Sequence, residues 1–221
     1  MSARALVVAK VPVPGQAKTR LGADIGMTRA AEVAAAALLD TLAACTEAFG
    51  AERCHLALAG DLAEGVLHAE IEAALAGWTV RPQRGDGFAE RLVHAHADLA
   101  SAGPGPVVQV GMDTPQVTPE LLLRAVAALD AGRHDAVLGP AEDGGWWVLA
   151  LRDPRAAAPL RDVAMSTATT YADTRRALEA TGMLVATTTT VRDVDTLPDA
   201  EAVATSAPGS RFARTWAGVR P

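Results

Sequence analysis

The stretch ALVVAKVPVPGQAKTRLG, Ala5 to Gly22, decides the fold. Its first five residues are continuously apolar, as in a strand covered by helices on both faces of its sheet. Pro12, Pro14 and Gly15 then end the strand, since proline cannot continue a ladder and glycine permits a sharp turn. A turn explains those three residues and leaves Lys10, Lys18 and Arg20 unexplained. In an open α/β sheet, ligands collect beyond the carboxyl ends of the strands. A loop in that place, with Gly15 allowing close backbone approach and three cations offering charge-assisted hydrogen bonds, reads as a cradle for phosphate oxygens. It is not a Walker A loop, because Pro12 and Ala17 stand where glycines are required. A solvated basic loop is the competing reading of these residues taken alone.

Outward from this stretch, helical and strand patterns alternate. TRAAEVAAAALLDTLAACTEAF carries Ala and Leu at helical density and opens on Thr28 as a candidate N-cap. RCHLALAG reads as a strand, LAEGVLHAEIEAALAG as a helix, WTVRPQ as a short strand and FAERLVHAHADLASAG as a helix. PVVQVGMD is then a strand, and TPELLLRAVAALDAG a helix with Thr118 and Pro119 at its cap and first turn. DAVLGPA and GWWVLAL read as strands around a loop, STATTYADTRRALEATG as a helix, and LVATTTTVRDVD as a β-branched strand. Repeated strand–helix units predict an α/β protein with a mostly parallel sheet between two helical layers. One domain is expected over residues 1–205. The tail, 206–221, has no clear periodicity and is expected to be loose unless Phe212 and Trp216 dock it.

Composition narrows the ligands. The net charge is −6, with 26 acidic against 20 basic residues, so no global field favours nucleic acid or an anionic membrane. An anionic ligand must be held by local cations or a metal, which is feasible because charges are screened beyond about 8 Å at physiological salt. Cys45 and Cys54 lack metal-ligand spacing and read as buried thiols. No apolar run approaches the ~20 residues of a membrane span, and the N-terminal run is too short for a signal peptide, so a cytoplasmic location is expected.

Three further motifs, QRGDG, GMDTP and DVD, fall at strand ends, and GPAEDGGWWVLAL is the most unusual stretch of the chain. GMDTP places Asp113 just past an apolar strand, where a hard cation would accept its oxygen and bridge to phosphate, with a turn aspartate as the alternative. RDVDTLPDA puts Asp193 and Asp195 on one side of an extended segment, and Asp195 and Asp113 could share Mg²⁺ if the two ends converge; helix capping by Asp195 is the rival. In GPAEDGGWWVLAL, Gly144 and Gly145 allow sharp turning, and Glu142 and Asp143 supply carboxylates able to orient or deprotonate an acceptor hydroxyl, with a tight hairpin carrying core tryptophans as the alternative. Trp146 and Trp147 alternate faces, so one of them is expected to line a cleft. QRGDG presents Gln83 to a nucleobase edge with Gly85 making room, or is a plain glycine turn. His94 and His96 are two apart on a helix, hence on different faces, and are not read as metal ligands.

Taken in order, AKVPVPGQAKTRL, QRGDGFAERL, GMDTP, GPAEDGGWWVLAL and DVDT resemble a bacterial glycosyltransferase-like family of the GT-A, or nucleotide-diphospho-sugar transferase, fold. The chain is similar at greater distance to 2-phospholactate and molybdenum cofactor guanylyltransferases. The resemblance spans Ala5 to Leu197. It implies a three-layer α/β/α fold, a nucleotide or nucleotide-sugar donor, a small-molecule acceptor and Mg²⁺ or Mn²⁺ as cofactor. By position it implies Lys18 and Arg20 at donor phosphates, Gln83 near the base, Asp113 and Asp195 on the metal, and the Asp143–Trp147 loop facing acceptor or sugar. Phe88, Ala89 and Met112 depart from the family pattern. Glycosyl transfer is the leading expectation, nucleotidyl transfer with release of pyrophosphate the alternative, and a non-catalytic nucleotide-binding protein a third.

Overall fold

The computed structural model describes residues 3–130 and 132–220. Seven strands form one sheet, and β1 (Arg4–Lys10) lies near its middle, between β2 (Cys54–Ala59) and β4 (Val107–Val110), parallel to both. β3 (Thr79–Pro82) extends the sheet beyond β2. On the other side β6 (Trp146–Leu151) runs antiparallel to β4 and to β5 (Ala136–Pro140), and β7 (Val185–Thr187) closes the edge parallel to β5. The sheet order is therefore β3-β2-β1-β4-β6-β5-β7, mostly parallel as expected, with one reversed strand.

Strand alternation divides the core into two layers. Val7 and Ala9 of β1 and Val108 and Val110 of β4 face α2 (Met27–Phe49) and α5 (Pro119–Asp130). Leu6, Val8 and Val107 face α4 (Phe88–Ser101) and a 3₁₀ segment, Pro154–Asp162. The apolar run Ala5–Ala9 is buried throughout, which is why it carries no polar residue. Cys45 and Cys54 are buried free thiols, and burial pushes the Cys54 thiol up to about 12.

Three local expectations are corrected. Thr28 is not the cap of the long helix: Gly26, at φ 92°, joins α1 (Thr19–Ile25) directly to α2, and Met27 is already helical. The helix expected from Ser166 begins instead at Thr170, as α6 (Thr170–Glu179), and Met165–Thr169 forms an irregular wall. The tail is not loose. After α7 (Leu197–Ser206), Arg211–Val219 forms α8, whose Phe212 and Trp216 are fully buried against α2 and α7 with Leu21 and Val33. The Asp40 carboxylate of α2 accepts the backbone N–H groups of Arg211 and Phe212 at 3.0 and 2.8 Å, satisfying two otherwise orphaned donors. Period alone hid this helix, because only two large apolar residues carry its buried face.

The β5–β6 pair shifts register at Gly139 and Pro140 where it approaches the carboxyl edge. A Cβ on Gly139 would lie 2.5 Å from Trp147 Nε1 and 2.6 Å from Val148 Cγ1, so the indole packs flat on bare backbone. Gly139→Ala is expected to destabilise the protein by about 1–3 kcal/mol, the usual effect of overpacking a filled core. Urea unfolding followed by tryptophan fluorescence would measure it.

Candidate active site

The polar motifs converge because two loops are stitched together at the carboxyl edge. Val194 N–H donates to Asp113 C=O at 2.9 Å, and Glu142 N–H donates to Val191 C=O at 3.1 Å. These bonds lay the Asp193–Asp195 segment beside the end of β4. The capping rival for Asp195 does not hold: Thr196 caps α7, and Asp199 completes the capping box.

Lys18 occupies the junction. Its Nζ lies 2.6 Å from Asp113 Oδ1 and 2.8 Å from Asp195 Oδ1, and its side chain is 8% exposed. Burial opposes its charge, but the two carboxylates outweigh burial and raise its pKa. The backbone at Lys18 is left-handed, at φ 49° and ψ 47°, a conformation that a β-carbon disfavours. The tight Val13–Ala17 turn imposes it: Gln16 and Ala17 N–H both donate to Val13 C=O. The two prolines and Gly15, at φ 78°, thus aim one ammonium at two carboxylates. A Cβ on Gly15 would meet nothing, so this glycine serves the backbone angle rather than a close contact.

Arg20 is exposed, 3.6 Å from Asp195 Oδ2. Lys10 Nζ donates to Gln16 C=O at 3.0 Å, on the rim of a hollow of about 250 Å³ that also contains Lys18, Arg20, Asp113 and Asp195. Met112 closes this side, its sulfur accepting Lys10 N–H at 3.4 Å.

A larger cleft of about 410 Å³ adjoins the hollow, and Arg20, Asp113 and Asp195 line both. Trp146 is half-buried in the cleft wall and donates to Thr174 Oγ1 at 3.1 Å; Trp147 is buried in the opposite core layer and donates to Thr189 C=O at 2.8 Å. Asp143 lies at the mouth, its Oδ1 accepting Gly145 N–H at 2.7 Å. Gly144, at φ 91°, passes so close to the facing wall that a Cβ would come within 2.2 Å of Ala168 C=O. Glu142 turns away, 2.5 Å from Arg192.

Two expected positions fall elsewhere. The Gln83 amide donates to Ala9 C=O and Ala57 C=O at 2.8 and 3.0 Å, so it ties strand ends rather than lining the cleft or the hollow. Gly85, at φ 124°, shapes the turn into α4, where Glu90 accepts Asp86 N–H at 2.9 Å. Conversely, Gln109, Ser166 and Thr167 line the cleft although none belongs to a strand-end motif. A polar residue inside the otherwise apolar VVQV strand is the signal that would have found Gln109.

Burial, then the charges of Asp143 and Asp195, push the Asp193 carboxyl up to about 6. Among the described residues no three His, Cys, Asp or Glu side chains form a ready-made metal cage. Asp113 and Asp195 nonetheless fit a hard cation: they already converge on one positive charge, and Mg²⁺ commonly takes one or two carboxylates and completes its shell with phosphate and water. A carboxyl whose pKa is raised on folding is destabilising once ionised, so its penalty is absent below the unfolded pKa and complete above about 6. Metal-free Asp193→Asn protein should therefore melt about 2–4 °C above the parent at pH 7.5, taking ~1 kcal/mol after solvent screening, and converge with it by about pH 4. Paired melting curves across that range test the sign.

Residues 41–167 match the model of the family described as "Uncharacterized protein conserved in bacteria (DUF2064)", and the chain belongs to that family. No curated protein sequence matches it. A provisionally named nucleotide-diphospho-sugar transferase from Desulfovibrio desulfuricans G20 superposes with a TM-score of 0.83 at 28% identity, covering 100% of this chain and 95% of the other. Rv0371c of Mycobacterium tuberculosis H37Rv, in complex with manganese, gives 0.54 at 19% identity, with coverages of 92% and 98%. A cytidylyltransferase from Leptospira borgpetersenii gives 0.59 at 13% identity, with coverages of 100% and 94%. The last two likenesses show the fold alone.

Proposed function

We propose that this family member is a divalent-cation-dependent glycosyltransferase using a nucleotide-sugar donor. One observation carries the reading. A hollow with three basic side chains, suited to a diphosphate, opens at Asp113 and Asp195 into a cleft suited to a neutral hydroxyl acceptor. Beyond Asp113 and Asp195, which are committed to Lys18 and the cation, Asp143 and Asp193 line that cleft against Arg20. A phosphorylated acceptor would meet like charge there, at a cost of several kcal/mol. The likeness to the Desulfovibrio protein, with its sugar-transferase name, agrees.

In this reading Lys18 and Arg20 bind the donor diphosphate and stabilise the charge that grows as the sugar–oxygen bond breaks. Lys10 lines the outer side of the hollow, and Gly15 sets the backbone angle of the loop that carries Lys18. Asp113 and Asp195 would hold Mg²⁺ or Mn²⁺, which neutralises charge on the departing diphosphate when bound. Lys18 must then turn from the carboxylates to the phosphates. Asp143, fixed by Gly145 N–H, accepts the proton of the attacking hydroxyl. Gly144 holds the loop against the facing wall, Trp146 supplies an apolar face for a sugar ring, and Trp147 anchors the strand.

Nucleotidyl transfer is the second reading. The flanking of one cation by Asp113 and Asp195 also suits attack at the donor's α-phosphorus, and a cytidylyltransferase shares the fold. Incubation with Mg²⁺, nucleotide-sugars, nucleoside triphosphates and mixed hydroxylated and phosphorylated acceptors, resolved by mass, separates the two. A glycosylated acceptor with released nucleoside diphosphate is expected. A nucleotide-capped product with pyrophosphate would overturn it. Asp113→Ala is expected to lower turnover by about 10²- to 10³-fold; undiminished Mg²⁺-dependent turnover would remove Asp113 from the metal.

A further inference from the structure

The mechanism leaves one buried polar pair unused. Gln109 of β4 is 2% exposed and lies in the cleft floor, on the sheet face that packs against α4. Its Oε1 lies 2.7 Å from Nε2 of His96, which is fully buried in α4. His96 Nδ1 has no partner among the described residues.

This arrangement fixes both the tautomer and the amide orientation. Burial pushes His96 down to about 4, further than its hydrogen bond to Gln109 raises it, so the ring is neutral at neutral pH. A neutral ring carries one proton. On Nδ1 that proton would be a sealed donor without an acceptor; on Nε2 it is donated to Gln109, leaving Nδ1 a bare acceptor. The Gln109 oxygen is thereby consumed by the protein. Its amide nitrogen makes no hydrogen bond among the described residues and is not among their sealed, unpartnered atoms, so it is presented to the cleft.

We propose that the Gln109 amide is the specificity-determining donor of a subsite for a neutral hydroxylated ring, and that His96 is the positioning residue that turns it toward the ligand. The surroundings define the ligand class. Phe88, 48% exposed, and the half-buried Trp146 offer apolar faces in the same cleft, while Ser166 and Thr167 add hydroxyls to its lining. A few placed polar groups among apolar faces are the usual composition of a small-molecule site. With Asp113 and Asp195 committed to Lys18 or the cation, Asp143 and Asp193 still outnumber Arg20 around this cleft, which favours a neutral ligand over an anion. The subsite deepens the glycosyl-transfer reading by naming what the cleft floor recognises, and rests on that reading for its place in catalysis.

Its test uses ¹⁵N-labelled full-length protein, free D-glucose and myo-inositol at high millimolar concentration, and inorganic phosphate. The Gln109 side-chain amide is assigned by its loss in Gln109→Met. We expect a neutral, Nε2-protonated His96 and a Gln109 amide signal that moves with the polyols and not with phosphate. His96→Leu should weaken the polyol response about three- to tenfold, the effect of losing one ordered hydrogen bond. His96→Gln, whose amide reaches the same place, should restore it, separating positioning from general damage to the fold. Movement with phosphate alone, movement with neither, or an undiminished response in folded His96→Leu protein would overturn the proposal. Polyol binding without sugar transfer in the donor screen would leave the subsite standing and sink glycosyl transfer; sugar transfer with an unmoved Gln109 would do the reverse.

Discussion

The site depends on one buried ammonium. Lys18 bridges Asp113 and Asp195, which come from loops 82 residues apart, and without it two carboxylates would face each other at the edge of the core. The lysine is the buried member, while Asp113 and Asp195 keep 44% and 39% of their side chains exposed, so loss of the carboxylates would leave a buried ammonium short of counter-charge. The left-handed backbone at Lys18 is consistent with that constraint: local strain persists where the surroundings over-determine it. A lysine so held is also an ionic lock. In the proposed reading a donor diphosphate competes with the two carboxylates for this ammonium.

The sheet supplies the framework on which this lock is built. β1 and β4 are central neighbours, so the loops that follow them emerge side by side. The reversed strand β6 then returns Trp146 to the same edge, and the hydrogen bond from Val194 to Asp113 brings in the last acidic segment. The buried tail helix α8 stabilises the α1–α2 corner that carries the lysine loop, since Phe212 and Trp216 share a core cluster with Leu21 and Ile25 of α1. The lysine loop at the carboxyl edge is therefore supported from below by α8.

Much of this was legible in sequence for physical reasons. A strand apolar at every position announces a two-sided sheet, and polar motifs placed after such strands announce its carboxyl edge. Lys18 and Asp113 stand in such motifs, whereas the pair Trp146 and Trp147 offers no choice between its two members until the strand's faces are known. The distances that distinguish roles were not legible. Gln83 reads as a ligand group until the carbonyls of Ala9 and Ala57 are seen to take its amide. Gln109 reads as a stray polar residue until His96 is found beneath it. Ser166–Thr169 reads as helix because Ser, Ala and Thr carry little local information, while a positive φ at Ser166 and the approach of Gly144 are set by tertiary contact.

The most direct measurement is Mn²⁺ binding by electron paramagnetic resonance, with and without a nucleoside diphosphate, in the parent protein and in Asp113→Asn and Asp195→Asn. If Lys18 guards the two carboxylates until phosphate draws it away, the diphosphate should tighten Mn²⁺ binding to the parent by about tenfold or more, within the usual range of coupling between sites. Both variants should lose that gain. Mn²⁺ binding that is indifferent to the nucleotide and to both aspartates would contradict the account at its centre.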